Sequence, residues 1–271
     1  MGEKAGFVEI DGGRLYYEMS GQGEPLLFLH GMGLDSRMWN DQVEAFTKNF
    51  NVIRYDARGY GKSTLPIEGQ AFSHTADLLR LMENLELQQA HLVGLSMGGG
   101  IAIDFALEYP DRVHSLVLAD SGLNGYKPIV PDQAVIDMFQ AIEDCVRAGN
   151  MVLARETWLS LPHFEHALRE EQTRCHLVEM TQMYTFWHFC HKNPHTKQAI
   201  KTIDRLHEIS LPCLVLVGED DLMDFREISE ILHMKIKHSR LVDIPKAGHL
   251  SNMENTSFFN SVVLEFIHDL I

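Results

Sequence analysis

Residues His91–Pro110 read HLVGLSMGGGIAIDFALEYP. The stretch opens as a buried strand, and a helical pattern follows at once. Between the two stands Ser96, with Gly94 and Gly98 at the positions where a side chain would crowd it. Packing alone does not ask for a polar residue there. The G-x-S-x-G pattern fits a very sharp strand-to-helix turn. Such a turn forces the serine backbone into an unfavourable conformation and lifts its hydroxyl above the sheet. It also sets the serine at a helix N-terminus, where unpaired N–H groups face any developing anion. Ser96 is therefore a candidate nucleophile.

The flanking sequence supplies the context the pattern requires. Residues 7–21 form two strand-like runs around Asp11-Gly12-Gly13, a hairpin signal. Residues 25–31 (PLLFLHG) and 51–57 (NVIRYDA) are apolar runs suited to strands covered on both faces. Between them, residues 35–50 have helical spacing, with Asp35 or Ser36 as cap. Ser73 can cap a helix over residues 74–87. Residues 112–120 (RVHSLVLAD) form a further strand. Strand–helix alternation of this kind predicts a mostly parallel sheet with helices on both faces.

The alternation stops between residues 122 and 210. That segment reads as helices without strands: residues 131–149, a long one over 166–189, and another over 195–209. It resumes with residues 212–218 (PCLVLVG), a helix over 224–235, a strand over 240–245 and a last helix from 257. The expected organisation is an α/β core formed by residues 1–121 and 211–271, carrying a helical lid at 122–210.

With 23 Lys and Arg against 38 Asp and Glu, the formal net charge is −15. An acidic surface argues against nucleic acid and anionic membranes as partners. No apolar run is long enough to span a bilayer, and residues 1–13 lack the pattern of a secretory leader. Cys145, Cys175, Cys190 and Cys213 show no C-x-x-C pairing and read as reduced thiols of a cytoplasmic protein.

A serine hydroxyl needs a base to take its proton and an acid to orient that base. His249 follows a strand and a glycine, in a loop before the last helix, beyond the end of a strand where open α/β sheets bind ligands. Carboxylates follow Gly218 at the end of another strand. The chain order is then serine, acid, histidine.

With these motifs the chain resembles the α/β-hydrolase superfamily from about residue 7 to its C-terminus. The resemblance rests on His30-Gly31-Met32-Gly33, on residues 56–63 (DARGYGKS), on the turn at Ser96, on Gly218-Glu219-Asp220-Asp221 and on Gly248-His249. It is closest to the carboxylesterase, enol-lactonase and carbon–carbon bond hydrolase branch. The resemblance implies an eight-stranded sheet with the lid between strands 6 and 7. It selects Asp221 as the acid, with Asp220, Asp224 and Asp120 as alternatives. It implies an oxyanion hole made of the Met32 and Met97 N–H groups and gives His30 the task of ordering that loop. It implies no cofactor.

Gly31, Trp158 and Trp187 are candidates for substrate contact, because lids cover the nucleophile and ligand cavities are mostly apolar. Arg58 and Asp56 are expected to fix a turn, with Arg58 also able to bind a substrate carboxylate. Glu254 is expected to favour a helix dipole. His188, His191 and His195, with Cys190 among them, raise zinc, but Pro194 interrupts their helix and no metal is expected. The expected activity is hydrolysis of a small or medium ester or lactone through an acyl-enzyme. The alternatives are a carbon–carbon hydrolase acting on a dienone acid, for which Arg155, Arg169 and Arg174 could supply a cation, or a small-molecule receptor on the same scaffold. The sequence does not give an oligomeric state.

Overall fold

The computed structural model describes residues 4–192, 194–196 and 200–270. Eight strands form one sheet: β1 (Lys4–Ile10), β2 (Gly13–Gly21), β3 (Glu24–Leu29), β4 (Phe50–Tyr55), β5 (Ala90–Leu95), β6 (Val113–Ala119), β7 (Cys213–Gly218) and β8 (Ser239–Ile244). Their order across the sheet is β1-β2-β4-β3-β5-β6-β7-β8. The β1–β2 hairpin turns at Asp11-Gly12 and pairs antiparallel with the rest; β3 to β8 run parallel. All residues of β5 and β7 are buried, as a sheet covered on both faces requires.

The core helices are α1 (Asn40–Phe46), α2 (His74–Asn84), α3 (Met97–Glu108), α9 (Met223–Lys235), α10 (Ser251–Glu254) and α11 (Thr256–His268). Helix α1 packs on α11, α2 on α3, and α3 lies along β3, β5 and β6. Caps fall where side-chain chemistry places them. Ser73 accepts from the Ala76 N–H, and Asp35 accepts from the Arg37 N–H to start a 3-10 turn over Ser36–Trp39.

Between β6 and β7 lies the helical insertion: α4 (Gln133–Arg147), α5 (Met151–Leu159), α6 (Glu171–Met183), α7 (Trp187–Cys190) and α8 (Thr202–Arg205). Asp132 caps α4 through the N–H groups of Ala134 and Val135. The long helix expected over 166–189 is broken. Helix α6 ends at Met183, and Phe186 takes a left-handed conformation (φ 56°) before α7. That backbone is unfavourable for a residue with a side chain, but it brings the Phe186 ring to full burial against Trp158 and Tyr184. The helix expected over 195–209 lies partly outside the described residues. Within them it reduces to α8 and a 3-10 turn over Leu206–Glu208. Among the described residues no helix is long and apolar enough to cross a membrane.

Candidate active site

Ser96 follows β5 and caps α3, with φ 53° and ψ −113°. Two close approaches explain its glycine neighbours. A Cβ on Gly98 would run into the Leu29 carbonyl oxygen, and one on Gly94 into the Gly98 carbonyl oxygen. The strained turn is held by its own backbone: the Ser96 N–H donates to the Ala119 carbonyl, and the Ser96 carbonyl accepts from Gly100 and Gly122.

The loop after β8 brings His249 to this serine, with Nε2 3.0 Å from Ser96 Oγ. The loop after β7 brings Asp221, whose carboxylate oxygens lie 3.1 and 3.2 Å from His249 Nδ1. The Asp221 side chain is fully buried and that of His249 nearly so. A carboxylate can only accept there, so the imidazole proton sits on Nδ1 and the Nε2 lone pair faces the serine hydroxyl. Asp221 Oδ1 also accepts from the Leu222 N–H at 2.7 Å.

The other carboxylates weighed for this position are turned elsewhere. Asp120 is fully buried but accepts from the Gly218 N–H (2.8 Å) and the Ser251 hydroxyl (2.5 Å). Burial, and next the charge of Asp221, hold its pKa well above the usual carboxylate range. Asp220 is exposed, with Oδ2 3.6 Å from His166 Nε2. Asp224 is half-buried in the first turn of α9, beside Tyr126.

Glu254 does not act through a helix dipole as expected, since it closes the short α10 instead of opening the last helix. Its nearly buried carboxylate accepts the N–H groups of Gly248 and Leu250, the residues on either side of His249. Burial raises its pKa, against the pull of those N–H groups. His166, from the insertion, places Nδ1 3.1 Å from Glu254 Oε2. A Cβ on Gly248 would lie 2.9 Å from the His166 Cβ, so the insertion touches the histidine loop directly. Sequence reasoning missed this network. The acceptor is five residues past His249 and its partner comes from another segment, so neither pattern nor spacing reveals it.

On the other side of Ser96, His30 holds the loop after β3. Its Nε2 accepts from the Ala57 N–H at 2.9 Å, which leaves the proton on Nδ1 to donate to the Gly31 carbonyl at 2.8 Å. A Cβ on Gly31 would sit 3.7 Å from the Ser96 Cβ, so Gly31 and Met32 lie over the serine. The Met97 N–H belongs to the first turn of α3, where no intrahelical acceptor exists.

A cavity of about 90 Å³ opens onto Ser96 and His249, walled by Gly31, Met32, Leu34, Phe139, Trp158 and Phe225 among others. Its polar groups are those of Ser96, His249 and His163 and the indole N–H of Trp158, and among the described residues no lysine or arginine lines it. A roomier groove of about 440 Å³ on the outer strands, beside Met19 and Arg54, holds none of these groups.

Gly31 and Trp158 meet this cavity. Trp187, expected there as well, does not: its ring stacks on His191 at 4.6 Å, turned away by the break before α7. Arg58 is also corrected as a candidate carboxylate binder, because it grips buried Asp77 with two hydrogen bonds of 2.8 and 2.6 Å. Asp56 does tie the turn, accepting the Ser36 and Lys62 N–H groups at 2.8 Å each. The three clustered histidines take different partners. His188 stacks on Tyr60, His191 on Trp187, and His195 lies beside Phe72 and His74. Among the described residues no group of three His, Cys, Asp or Glu is placed to hold a metal.

A family model described as the alpha/beta hydrolase fold matches residues 24–256. The chain belongs to the α/β-hydrolase superfamily. A relative within it is the 2-hydroxy-6-oxononadienedioate/2-hydroxy-6-oxononatrienedioate hydrolase of Burkholderia vietnamiensis, 31% identical over 94% of this chain and 91% of that protein. Another is 3-oxoadipate enol-lactonase 2 of Acinetobacter baylyi, 27% identical over 92% of this chain and 91% of that one. Among solved structures, a thermophilic esterase from Thermogutta terrifontis superposes with a TM-score of 0.78 at 28% identity, covering 98% of this chain and 99% of that one. This α/β-hydrolase is thus an enzyme of the serine-hydrolase fold that acts on a small organic molecule.

Proposed function

We propose that this enzyme hydrolyses a small, uncharged ester or lactone through an acyl-enzyme on Ser96. The observation that carries the proposal is the hydrogen-bonded line Ser96–His249–Asp221 opening into an apolar cavity without a cationic side chain among the described residues. His249 Nε2 takes the hydroxyl proton as Oγ attacks the carbonyl carbon. Asp221 stabilises the imidazolium that forms. The N–H groups of Met32 and Met97 receive the oxyanion, in a mostly apolar cavity where such dipoles act more strongly than in water. The imidazolium then protonates the departing alkoxide, and water, activated by the same base, releases the acid.

Carbon–carbon cleavage is the second candidate, and the names of the relatives favour it. The B. vietnamiensis protein acts on oxodienedioates, molecules with no ester, whose hydrolysable bond lies next to a ketone. Such substrates carry two carboxylates. Here Arg155 donates to the carbonyls of Thr181 and Gln182, and Arg169 pairs with Glu165. None of Arg155, Arg169 and the exposed Arg174 lines the cavity, and with a net charge of −15 a neutral substrate fits it better than a dianion. The test is a direct comparison of turnover on short-chain alkyl esters, γ-lactones and a 2-hydroxy-6-oxodienoate. Ester turnover exceeding dienoate turnover in kcat/KM supports the proposal. The reverse order replaces it with carbon–carbon cleavage.

A further inference from the structure

His163 is a polar side chain in the substrate cavity with no hydrogen-bond partner among the described residues. It belongs to the 3-10 turn Pro162–Phe164 of the insertion and lines the cavity beside Ser96. No hydrogen bond reaches its ring from the described residues; Nδ1 is fully enclosed, and the half-buried ring leaves Nε2 as the nitrogen a bound molecule can reach. The ring meets the His249 ring edge-on, with centroids 5.2 Å apart, and packs on Phe225 at 5.7 Å. Burial first, and His249 second, push its pKa down to about 3. It is therefore a neutral imidazole whose Nε2 offers a bound molecule one hydrogen bond, as donor or acceptor according to the tautomer. An unmet polar group in an apolar wall costs stability that a phenylalanine of similar outline would avoid. Trp158 Nε1 in the same wall is also buried without a partner among the described residues, but of the two it is His163 that meets the His249 ring.

Its position also says which part of the substrate. His249 Nε2 must hand its proton to the leaving alkoxide. The side of the reacting carbonyl next to His249 is accordingly the alcohol side, and His163 packs against that imidazole. We propose that His163 is a specificity determinant that hydrogen-bonds a second, uncharged oxygen (hydroxyl, ether or carbonyl) in the alcohol portion of the substrate. This deepens the ester hydrolysis proposed above and rests on it. The substrates it singles out are monoesters of short diols or alkoxy alcohols, and lactones bearing a polar substituent near the ring oxygen.

The experiment compares 2-methoxyethyl butyrate with butyl butyrate, which differ by one oxygen in place of a methylene. The readout is the ratio of their kcat/KM values in the wild type and in His163→Phe. The variant supplies the intrinsic reactivity difference of the two alcohols. The expected result is a ratio about fivefold higher in the wild type than in the variant, the scale of one neutral hydrogen bond. His163→Leu repeats the measurement should the phenylalanine variant fail to fold. Equal ratios in wild type and variant overturn the assignment of His163 while leaving ester hydrolysis standing. Failure of the wild type to cleave either ester overturns both.

Discussion

Replacing His163 by phenylalanine should make the enzyme less sensitive to acid. The imidazole has an ordinary pKa of 6.5, and in the folded protein burial and the neighbouring His249 push it down to about 3. Between those values the unfolded chain takes up a proton that the folded chain refuses, so stability falls as the pH drops through this window. The stability present above pH 6.5 is lost at about 1.4 kcal/mol per pH unit. From pH 7.5 to pH 5.0 the loss assigned to His163 is about 2 kcal/mol. Phenylalanine has no such proton, and its ring suits the contacts with Phe225 and Phe139. Asp120 and Glu254, whose raised pKa values act with the opposite sign, remain in both proteins and cancel in the comparison. Urea unfolding of the two proteins at both pH values measures the effect. The wild type should lose about 2 kcal/mol more than the variant on acidification. Parallel losses would mean that the imidazole protonates freely in the fold and is not enclosed as described.

Asp221→Asn should cost about 10³–10⁴ in kcat by taking the charge from behind His249. Asp120→Asn, which alters a side chain aimed at Gly218 and Ser251, should cost far less in kcat, and steady-state kinetics on one ester separates the two. Glu254→Ala leaves the N–H groups of Gly248 and Leu250 unpaired around His249; kcat should fall about tenfold to a hundredfold while KM holds, and a rise in KM alone would argue against this role. Gly98→Ala drives a methyl group into the Leu29 carbonyl and should lower the unfolding free energy by about 3 kcal/mol, read by thermal denaturation.

The sheet was legible because its strands are short apolar runs set off by turn residues and helical periods, and buried parallel strands leave that trace. Ser96 and His249 were legible for a similar reason: a sharp turn needs glycines at fixed offsets, and the loops after strands fall on one edge of the sheet. The insertion was harder. A period of 3.6 runs from residue 166 to 189 without glycine or proline, so nothing local announces the break after Met183. Burial of Phe186 and the contact of Tyr184 with Tyr60 impose it from outside the segment. The same break moves Trp187 off the cavity. Glu254, His166 and His163 were hidden because their roles depend on contacts between distant segments. His163 was one of seven histidines in the insertion, and only its placement against His249 sets it apart.

The central claim is that Ser96 is made nucleophilic by His249, and a fluorophosphonate probe with mapping of the modified peptide tests it in one measurement. The account predicts one equivalent of label on Ser96, none in Ser96→Ala, and labelling slowed by about a hundredfold or more in His249→Ala. Label on another residue, or an undiminished rate without the imidazole, would contradict it.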